Sequence, residues 1–486
     1  MSEQTETVTL TIDGVQVTVP KGTNLIEAAR QAGIEIPYYC YHPGLSVAGN
    51  CRMCQVQVEG MRKLTIGCNT TATEGMVVRT QRSSEEVAEA QRATLEFLLI
   101  NHPLDCTVCD AAGHCKLQDY YYEYNSRASR FIEDKVNKVK AEPVGPEVIY
   151  DGERCIVCTR CVRFCDEVTG TSEFGVFNRG DRSVIGIYPG KELTNPLSGS
   201  VVDLCPVGAL THRRWRFNTR IWYTKQKETI CTGCSTGCNA KVAVRDGKIV
   251  YVKARPNSKV NQEWMCDEGR YGFDRFQPER RLTNCYVRQD GSLGAASWED
   301  AFAKAGELLR KETAPDRTAV FLSPFLTLEE MWLAVLFAES RLGVPRSSGS
   351  IAVQLRRRTL TEVEAVLISP DYAPNARSAQ LLGLIGPGED WREAVERRYA
   401  DLVERVRSGA VDRVIVLGEG AVLNRDVDPA FRSGLAQATC RIVVGADADW
   451  LSSLGASADI VLAGRTVNER SGVMLNGTAR FQRVSA

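Results

Sequence analysis

Cysteine is the residue whose number and grouping suggest chemistry in this chain of 486 residues. Of its 18 cysteines, 17 lie between residues 40 and 285, and most of them stand in close groups. Disulfides are rare in reducing compartments, and buried structural thiols need no such grouping. Grouped thiolates bind zinc, or they bind the iron of clusters that carry single electrons. The cysteine pattern therefore favours metal or electron-transfer chemistry.

The first group has a spacing close to that of two-iron ferredoxins. Its members are Cys40, Cys51, Cys54 and Cys68. Plant-type ferredoxins use Cys-x4-Cys-x2-Cys, whereas ten residues separate the first two cysteines here. Zinc is the alternative, although zinc sites usually combine two matched Cys-x2-Cys arms. The group therefore predicts a variant [2Fe-2S] site.

The second group lacks a fourth cysteine. Its cysteines are Cys106, Cys109 and Cys115, in the stretch NHPLDCTVCDAAGHCKLQD. His114 adjoins the last of them, so both side chains cannot easily reach one iron. His102 stands where Pro103 ends the preceding helix, and a helix-end histidine bonded to a carbonyl is the alternative. We predict that His102 completes a [4Fe-4S] site, whose neutral imidazole ligand should raise the reduction potential.

The third group follows the bacterial ferredoxin spacing Cys-x2-Cys-x2-Cys-x3-Cys. In two-cluster ferredoxins the fourth cysteine of such a run serves the other cluster, but no second trio is available here for Cys165. An isolated cysteine occurs instead in the stretch DLCPVGAL. The predicted [4Fe-4S] ligands are Cys155, Cys158, Cys161 and Cys205. Cys165 is then a buried non-ligand, while Arg160 and Arg163 either offset the cluster charge or are solvated.

The fourth group combines a local trio with one remote cysteine. Its members are Cys231, Cys234, Cys238 and Cys266. The last two are separated by 27 residues. Zinc is again the alternative, but three neighbouring ligands plus one distant ligand suit the corners of a cubane. This group therefore predicts another [4Fe-4S] site.

Short regular elements must position these groups. Residues 8–20 alternate apolar and polar side chains around Asp13-Gly14, which predicts a β-hairpin. A helix is predicted from Thr23 or Asn24 to Gly33. A longer helix is predicted over residues 83–102, because apolar positions recur on one face. That face consists of Val87, Ala90, Thr94, Leu95 and Leu98.

The C-terminal part shows a different pattern. Residues 240–254 predict a hairpin around an Asp-Gly turn. Residues 413–420 and 440–450 predict buried strands that end in glycine-containing turns, which indicates an α/β domain. Gly418 and Gly420 are weak evidence for a nucleotide site, because no further fingerprint follows them. Cys285 and Cys440 lie apart from the four groups and are predicted to be small buried hydrophobic residues.

Composition limits the classes of protein that the chain can belong to. The 60 basic and 60 acidic side chains balance, whereas nucleic-acid-binding proteins are usually basic. No apolar stretch reaches the ~18 residues of a membrane helix. The first residues are polar and acidic, unlike a secretory signal. We therefore expect a soluble intracellular chain that does not bind nucleic acid.

The four groups resemble the large iron–sulfur subunit (the G subunit) of bacterial respiratory NADH:quinone oxidoreductase (complex I). The stretches NHPLDCTVCDAAGHCKLQD and RCIVCTRCVRFCDE carry the resemblance, together with the first and fourth groups. It implies an α+β multidomain fold with a shortened molybdopterin-oxidoreductase-like α/β domain at its C-terminal end. The implied domains are a two-iron ferredoxin-type (β-grasp) domain at 1–83, a His-Cys four-iron domain at 84–145, a four-iron ferredoxin-like domain at 146–225, a four-iron domain of molybdopterin-oxidoreductase type at 226–283 and a degenerate α/β domain at 284–486.

The resemblance also implies a function and partners. The chain would hold one [2Fe-2S] and three [4Fe-4S] clusters without molybdopterin. It would carry electrons from a flavin-containing, NADH-oxidising subunit to ferredoxin-like subunits of the peripheral arm and on to quinone. Such a subunit lies peripherally on the cytoplasmic side of a bacterial inner membrane and meets the membrane only through the complex. The alternative is the electron-transfer subunit of a soluble NAD-linked hydrogenase or formate dehydrogenase.

Overall fold

A computed structural model describes residues 6–125, 127–273, 281–419, 422, 426–448, 454 and 457–485. The chain divides into two compact units, Met1–Thr224 and Lys225–Ala486. Each unit mixes helices with short strands. Among the described residues, no helix has both the length and the apolar character needed to span a membrane.

The first unit begins with a five-stranded sheet in the order β2-β1-β5-β3-β4. Its strands are β1 (Thr7–Ile12), β2 (Val15–Pro20), β3 (Gln55–Val58), β4 (Thr65–Ile66) and β5 (Val77–Arg79). Asp13 and Gly14 have φ values of 48° and 82°, which suit the tight turn of the predicted hairpin. Helix α1 (Leu25–Gln31) begins after Asn24, whose side chain accepts a hydrogen bond from the backbone N–H of Glu27.

Helix α2 (Glu85–Leu99) confirms the longer predicted helix. Ser84 caps its first turn, and Val87 and Leu95 of the predicted apolar face are buried. The remaining members of that face are only half-buried. Gln91 is buried as well, and its side-chain amide donates to the carbonyl of Gln55, 3.1 Å away. A polar side chain therefore joins this helix to β3.

The rest of the first unit consists of short elements between cysteine loops. They are α3 (Lys116–Tyr120), β6 (Glu142–Pro143), β7 (Val148–Tyr150), α4 (Arg160–Glu167), β8 (Phe174–Phe177), β9 (Val184–Ile187), α5 (Ser200–Leu204) and β10 (Leu210–His212). Strands β10, β7 and β6 form one antiparallel sheet, and β8 pairs with β9. The pairing of β7 with β10 brings the chain before Cys155 next to the chain after Cys205.

The second unit begins with a three-stranded antiparallel sheet. Its elements are β11 (Lys225–Ile230), β12 (Asn239–Arg245), β13 (Lys248–Ala254) and the short helix α6 (Asp267–Tyr271). Strands β12 and β13 form the predicted hairpin, and Asp246 and Gly247 at its turn both have positive φ. The fourth cysteine group occupies the β11–β12 loop and the start of α6.

A seven-stranded mixed sheet follows, in the order β15-β14-β20-β19-β18-β16-β17. The strands and helices of this region are β14 (Cys285–Gln289), β15 (Ser292–Ala296), α7 (Trp298–Leu309), β16 (Thr318–Leu322), α8 (Leu328–Leu342), β17 (Ile351–Val353), α9 (Glu362–Ala365), α10 (Ser378–Leu381), α11 (Trp391–Arg407), β18 (Arg413–Leu417), α12 (Pro429–Gln437), β19 (Cys440–Gly445) and β20 (Ile460–Ala463). Strands β21 (Gly472–Leu475) and β22 (Phe481–Val484) form a separate antiparallel pair. Strands β17, β16, β18, β19 and β20 are parallel, whereas β14 runs antiparallel to β20.

The parallel strands are buried on both faces. Along β16, Ala319 and Phe321 pack in one apolar cluster, while Val320 and Leu322 pack in another. This two-sided burial explains the continuous apolar runs from which strands were predicted. Cys285 and Cys440 lie in a third apolar cluster, as predicted for isolated cysteines.

Candidate iron–sulfur sites

The four cysteines of the first group lie around one loop region of the first unit. Cys40, Cys54 and Cys68 are buried, and the backbone N–H of Cys40 lies 3.4 Å from Cys51 Sγ. A hydrogen bond from Cys51 is the largest influence on Cys40 and lowers its pKa to about 5. Cys54 donates a hydrogen bond to Cys68 in the same way. The charge of Cys40 acts to raise the pKa of both of these thiols. The structure therefore brings all four predicted ligands together.

The second group combines two buried thiols with an exposed one. Cys109 and Cys115 are buried, whereas Cys106 is exposed in the turn Cys106–Val108. Burial, together with the neighbouring thiols of Cys109 and Cys106, raises the pKa of Cys115 to about 11. The three thiols thus share one electrostatic environment.

His102, the predicted fourth ligand of this group, has a buried Nδ1 with no hydrogen-bond partner among the described residues. Burial, together with the nearby cations Lys135 and Arg154, lowers the pKa of His102 to about 4. The imidazole is therefore neutral near pH 7, and one of its nitrogens has a lone pair. Buried nitrogens without a partner are uncommon, and coordination to iron would satisfy Nδ1.

The third group assembles from two distant segments. Cys158 and Cys161 are buried, and Cys155 and Cys205 are half-buried. Burial raises the pKa of Cys161, and the other three predicted ligands raise it in turn. The distant Cys205 therefore lies with the local trio, as the sequence predicts.

Cys165 has a different environment from the other cysteines of its run. It is fully buried. Burial raises the pKa of its thiol, and the carboxylate of Glu173 raises it further through charge and a hydrogen bond. A thiol held protonated by a carboxylate is a poor metal ligand, which supports the prediction that Cys165 does not bind iron.

Two arginines of α4 bind the loops of neighbouring groups. Arg160 is buried and donates to the carbonyl of Leu204 at 2.9 Å and to that of Tyr41. Arg163 donates to the carbonyl of Cys40 at 2.6 Å and lies 3.4 Å from that of Cys158. Their guanidinium groups are thus fixed between the first and third groups rather than solvated.

The third group also touches the second. A Cβ atom added to Gly208 would lie 2.1 Å from Cys109 Sγ, so only glycine permits this approach. Next to it, the backbone N–H of Lys116 donates to the carbonyl of Pro206, 3.1 Å away. The loop that carries Cys205 therefore packs directly against the second group.

The four thiols of the fourth group line a single cavity. The cavity is lined by Cys231, Gly233, Cys234, Gly237, Cys238, Cys266, Glu268, Gly269, Leu367 and Ile368. Gly233 N and Gly269 N lie 3.4 and 3.3 Å from Cys231 Sγ and Cys266 Sγ. A Cβ at Gly269 would lie 2.7 Å from Cys231 Sγ. Glycines that keep the space open and donate N–H groups to sulfur fit an iron–sulfur cluster.

A buried ion pair fixes the loop of the fourth group. Asp371 is completely buried and accepts from Ser235 N at 3.0 Å and Ser235 Oγ at 2.7 Å. Arg392 Nε lies 3.0 Å from the same carboxylate. Nothing in the sequence pattern predicts this contact, since Asp371 follows no cysteine and belongs to no helix or strand.

Sites for a single metal ion were also sought. Within the described ranges, no three histidine, cysteine, aspartate or glutamate side chains converge as ligands of one metal ion.

Comparison with known proteins finds similarity in four regions of the chain. Four regions match the following families: "2Fe-2S iron-sulfur cluster binding domain" at 5–83, "NADH-ubiquinone oxidoreductase-G iron-sulfur binding region" at 91–130, "NADH-quinone oxidoreductase subunit 3, ferredoxin-like domain" at 145–211 and "Molybdopterin oxidoreductase Fe4S4 domain" at 224–277. The NADH-quinone oxidoreductase G subunit of Streptomyces coelicolor is 42% identical over 69% of this chain and 40% of its own length. The G subunit of Rickettsia prowazekii is 33% identical over 85% of this chain and 59% of its own. Over its cysteine-containing regions the chain is similar to NADH-quinone oxidoreductase G subunits.

The chain spans about half the length of the curated relatives that it matches. A solved structure, an NAD+-reducing [NiFe]-hydrogenase in the H2-reduced state, is 28% identical. The match covers 44% of this chain and 91% of the hydrogenase chain, with a TM-score of 0.38. The matched family regions indicate both [2Fe-2S] and [4Fe-4S] binding.

Proposed function

We propose that this chain is the electron-transfer subunit of an NADH:quinone oxidoreductase. The observation that carries the proposal is the contact of the third group with both of its neighbours, through Arg163 on one side and Gly208 on the other. Three ligand sets that contact one another through short loops provide a continuous route for electrons through the protein. Similarity to the G subunits of NADH-quinone oxidoreductases supports the context of NADH and quinone.

The proposed ligand sets are those predicted from the sequence. Cys40, Cys51, Cys54 and Cys68 hold a [2Fe-2S] cluster, and [4Fe-4S] clusters are held by His102 with Cys106, Cys109 and Cys115, by Cys155, Cys158, Cys161 and Cys205, and by Cys231, Cys234, Cys238 and Cys266. When bound, such clusters accept and release single electrons. The four sets together require about 14 iron atoms per chain, and no molybdopterin is included.

The protein supplies position, charge and exclusion of water. Arg160 and Arg163 hold two ligand loops at a fixed separation, and their positive charges favour the more negative, reduced state of nearby clusters. Most of the proposed ligands are buried, and a low surrounding dielectric strengthens these charge effects. Cys106 is the exposed thiol of its group, which leaves the second group the most accessible to another subunit.

The proposed partners and location follow from the family. We propose a flavin-containing NADH-oxidising subunit as donor and ferredoxin-like subunits of the peripheral arm as acceptors. The chain would lie on the cytoplasmic side of a bacterial inner membrane and would contact the membrane only through the complex. The five domains proposed are those given at 1–83, 84–145, 146–225, 226–283 and 284–486, with a β-grasp fold in the first and a shortened molybdopterin-oxidoreductase-like fold in the last.

Purification of the chain from its own host tests the proposal. The expected result is co-purification with the other subunits of an NADH:quinone oxidoreductase, about 14 iron atoms per chain and four paramagnetic signals after reduction. Co-purification with a hydrogenase or formate dehydrogenase catalytic subunit would favour the alternative assembly. A colourless protein that contains zinc would contradict electron transfer altogether.

A further inference from the structure

Asp371 places a fully buried carboxylate beside the loop of the fourth group. Its oxygens accept hydrogen bonds from Ser235 N at 3.0 Å and from Ser235 Oγ at 2.7 Å. Ser369 Oγ and Ala373 N donate to the same carboxylate at 3.0 and 3.3 Å. Hydrogen bonds to the charged form of a group favour that form, so these four donors keep the carboxylate ionised. Because Ser235 directly follows Cys234, a negative charge is fixed next to the neighbour of a proposed ligand.

Arg392 brings the opposite charge to the same place. Its Nε lies 3.0 Å from Asp371 Oδ2. Its Nη2 lies 3.2 Å from Ser369 Oγ and 3.4 Å from Ser235 Oγ. Both charges therefore contact the same two serines, and the pair as a whole is neutral. Removal of either partner would leave one uncompensated charge beside the fourth group.

The segment that precedes the carboxylate lies against the fourth group itself. Leu367 and Ile368 line the same cavity as the four thiols. Ile368 belongs to an apolar cluster with Cys234 and Cys266, and Thr236 Oγ1 donates to the carbonyl of Leu367, 2.9 Å away. Apolar walls keep the local dielectric low, so a charge fixed at this place acts on the group with little screening.

We propose that the Asp371–Arg392 pair sets the reduction potential of the fourth cluster, with the carboxylate lowering the potential and the guanidinium group raising it. This inference rests on the proposed function. Reduction adds negative charge to a cluster, so a nearby anion disfavours the reduced state and a nearby cation favours it. In the parent chain the two effects oppose each other, whereas loss of one partner leaves the other unopposed.

Asp371→Asn in the iron-loaded full chain is the first test, because asparagine keeps the shape of the side chain and removes its charge. A redox titration followed by electron paramagnetic resonance should show a more positive potential for the fourth cluster, whose signal is the one that Cys266→Ser removes. We expect the equilibrium constant for its reduction to rise by at least about threefold, where tenfold corresponds to about 59 mV for one electron. An unchanged potential overturns the inference.

The double variant Asp371→Asn/Arg392→Met separates charge from structure. It removes both charges and more contacts than the single variant does. A purely structural role would therefore move the potential at least as far from the parent value as Asp371→Asn does. The proposal expects the potential to return towards the parent value, and a double variant that does not return contradicts it.

Arg392→Met alone covers the case in which Asp371→Asn does not fold. The four hydrogen bonds to Asp371 from Ser235, Ser369 and Ala373 remain in this variant, so the carboxylate stays ionised without its cation. The potential of the fourth cluster should then become more negative. A potential that stays the same or rises would overturn the inference.

Asp459→Asn is the matched control. Asp459 pairs with Arg441 at 2.6 Å in the same unit of the chain, and neither residue lines the cavity of the fourth group. The potential of the fourth cluster should not change, and a shift equal to that of Asp371→Asn would contradict a role specific to the proposed pair. A parent chain without iron in the fourth group would contradict the proposed function instead, so the two failures are distinguishable.

Discussion

The guanidinium group of Arg163 donates a hydrogen bond to the carbonyl oxygen of Cys40, with 2.6 Å between nitrogen and oxygen. The same nitrogen lies 3.4 Å from the carbonyl oxygen of Cys158. One cation therefore joins the first and third cysteine groups, and a second bond to the carbonyl of Ser46 fixes it further. Both the distance between these groups and the local charge depend on this side chain.

Arg163→Met should lower the reduction potentials of the first and third clusters together. Methionine keeps much of the volume but removes the positive charge that favours both reduced states. Loss of hydrogen bonds from a charged group should also lower the free energy of unfolding by about 1.5–3 kcal/mol. Redox titration and denaturant unfolding measure the two effects. Arg62→Met, at an exposed position, is the control, and a stability loss without any change in potential would contradict the electrostatic role.

His102→Cys should keep a four-iron cluster in the second group and lower its reduction potential. A thiolate adds one negative charge to the ligand set, and the more negative cluster is harder to reduce. Redox titration of the second-group signal measures the shift. Because His102 has the buried unpaired nitrogen, His102→Ala should lose that cluster. Full iron content in the alanine variant would remove His102 from the ligand set.

Cys165→Ser should leave all four clusters intact, whereas Cys205→Ser should abolish the third. Serine still forms a hydrogen bond with Glu173 in place of the thiol, but it replaces no ligand. Iron analysis and low-temperature paramagnetic resonance compare the pair directly. If the third signal disappears in Cys165→Ser and persists in Cys205→Ser, the two cysteines have exchanged roles.

Removal of iron should make residues 38–281 sensitive to proteases. Burial raises the pKa of thiols such as Cys161 and Cys238, so without iron they stay protonated and lose the metal bonds that would hold their loops together. Metal binding and folding are coupled in small sites of this kind. Limited proteolysis of chelated and iron-loaded protein measures the difference. Equal resistance of this region in both forms would show that it folds without its clusters.

Local spacing explains which features could be predicted from the sequence. Cysteine runs, the Asp13-Gly14 turn and the cap of α1 depend on residues only a few positions apart, so their patterns are visible in the chain. Cys205 is distant, but it could be predicted because the fourth cysteine of a ferredoxin run, here Cys165, serves another cluster, which left the isolated Cys205 for the trio. For these features the chemistry itself restricts the choice of residues.

Contacts between distant segments could not be predicted in this way. The sequence left Arg160 and Arg163 as either charge-offsetting or solvated, because nothing local shows which loops their guanidinium groups reach. Gln91 interrupts the apolar face of α2, and its burial is explained by the acceptors that its amide finds on Gln55 and Gln81. The burial of Asp371 is likewise explained by its contacts with Ser235, which lies far away in the sequence, and with Arg392.

Gly208→Ala should disrupt the second cluster while sparing the first. The added Cβ would lie 2.1 Å from Cys109 Sγ, so the thiol or the Cys205 loop must move. Overpacking of this kind costs about 1–3 kcal/mol, and displacement of a ligand sulfur should reduce iron binding at this group. Iron analysis with paramagnetic resonance of each cluster measures the result. In the control, Gly294→Ala, the added methyl meets no atom within 4 Å. A normal second-cluster signal in Gly208→Ala would show that the Cys205 loop can move without disturbing its neighbour, which would weaken the case for a fixed contact between the two sites.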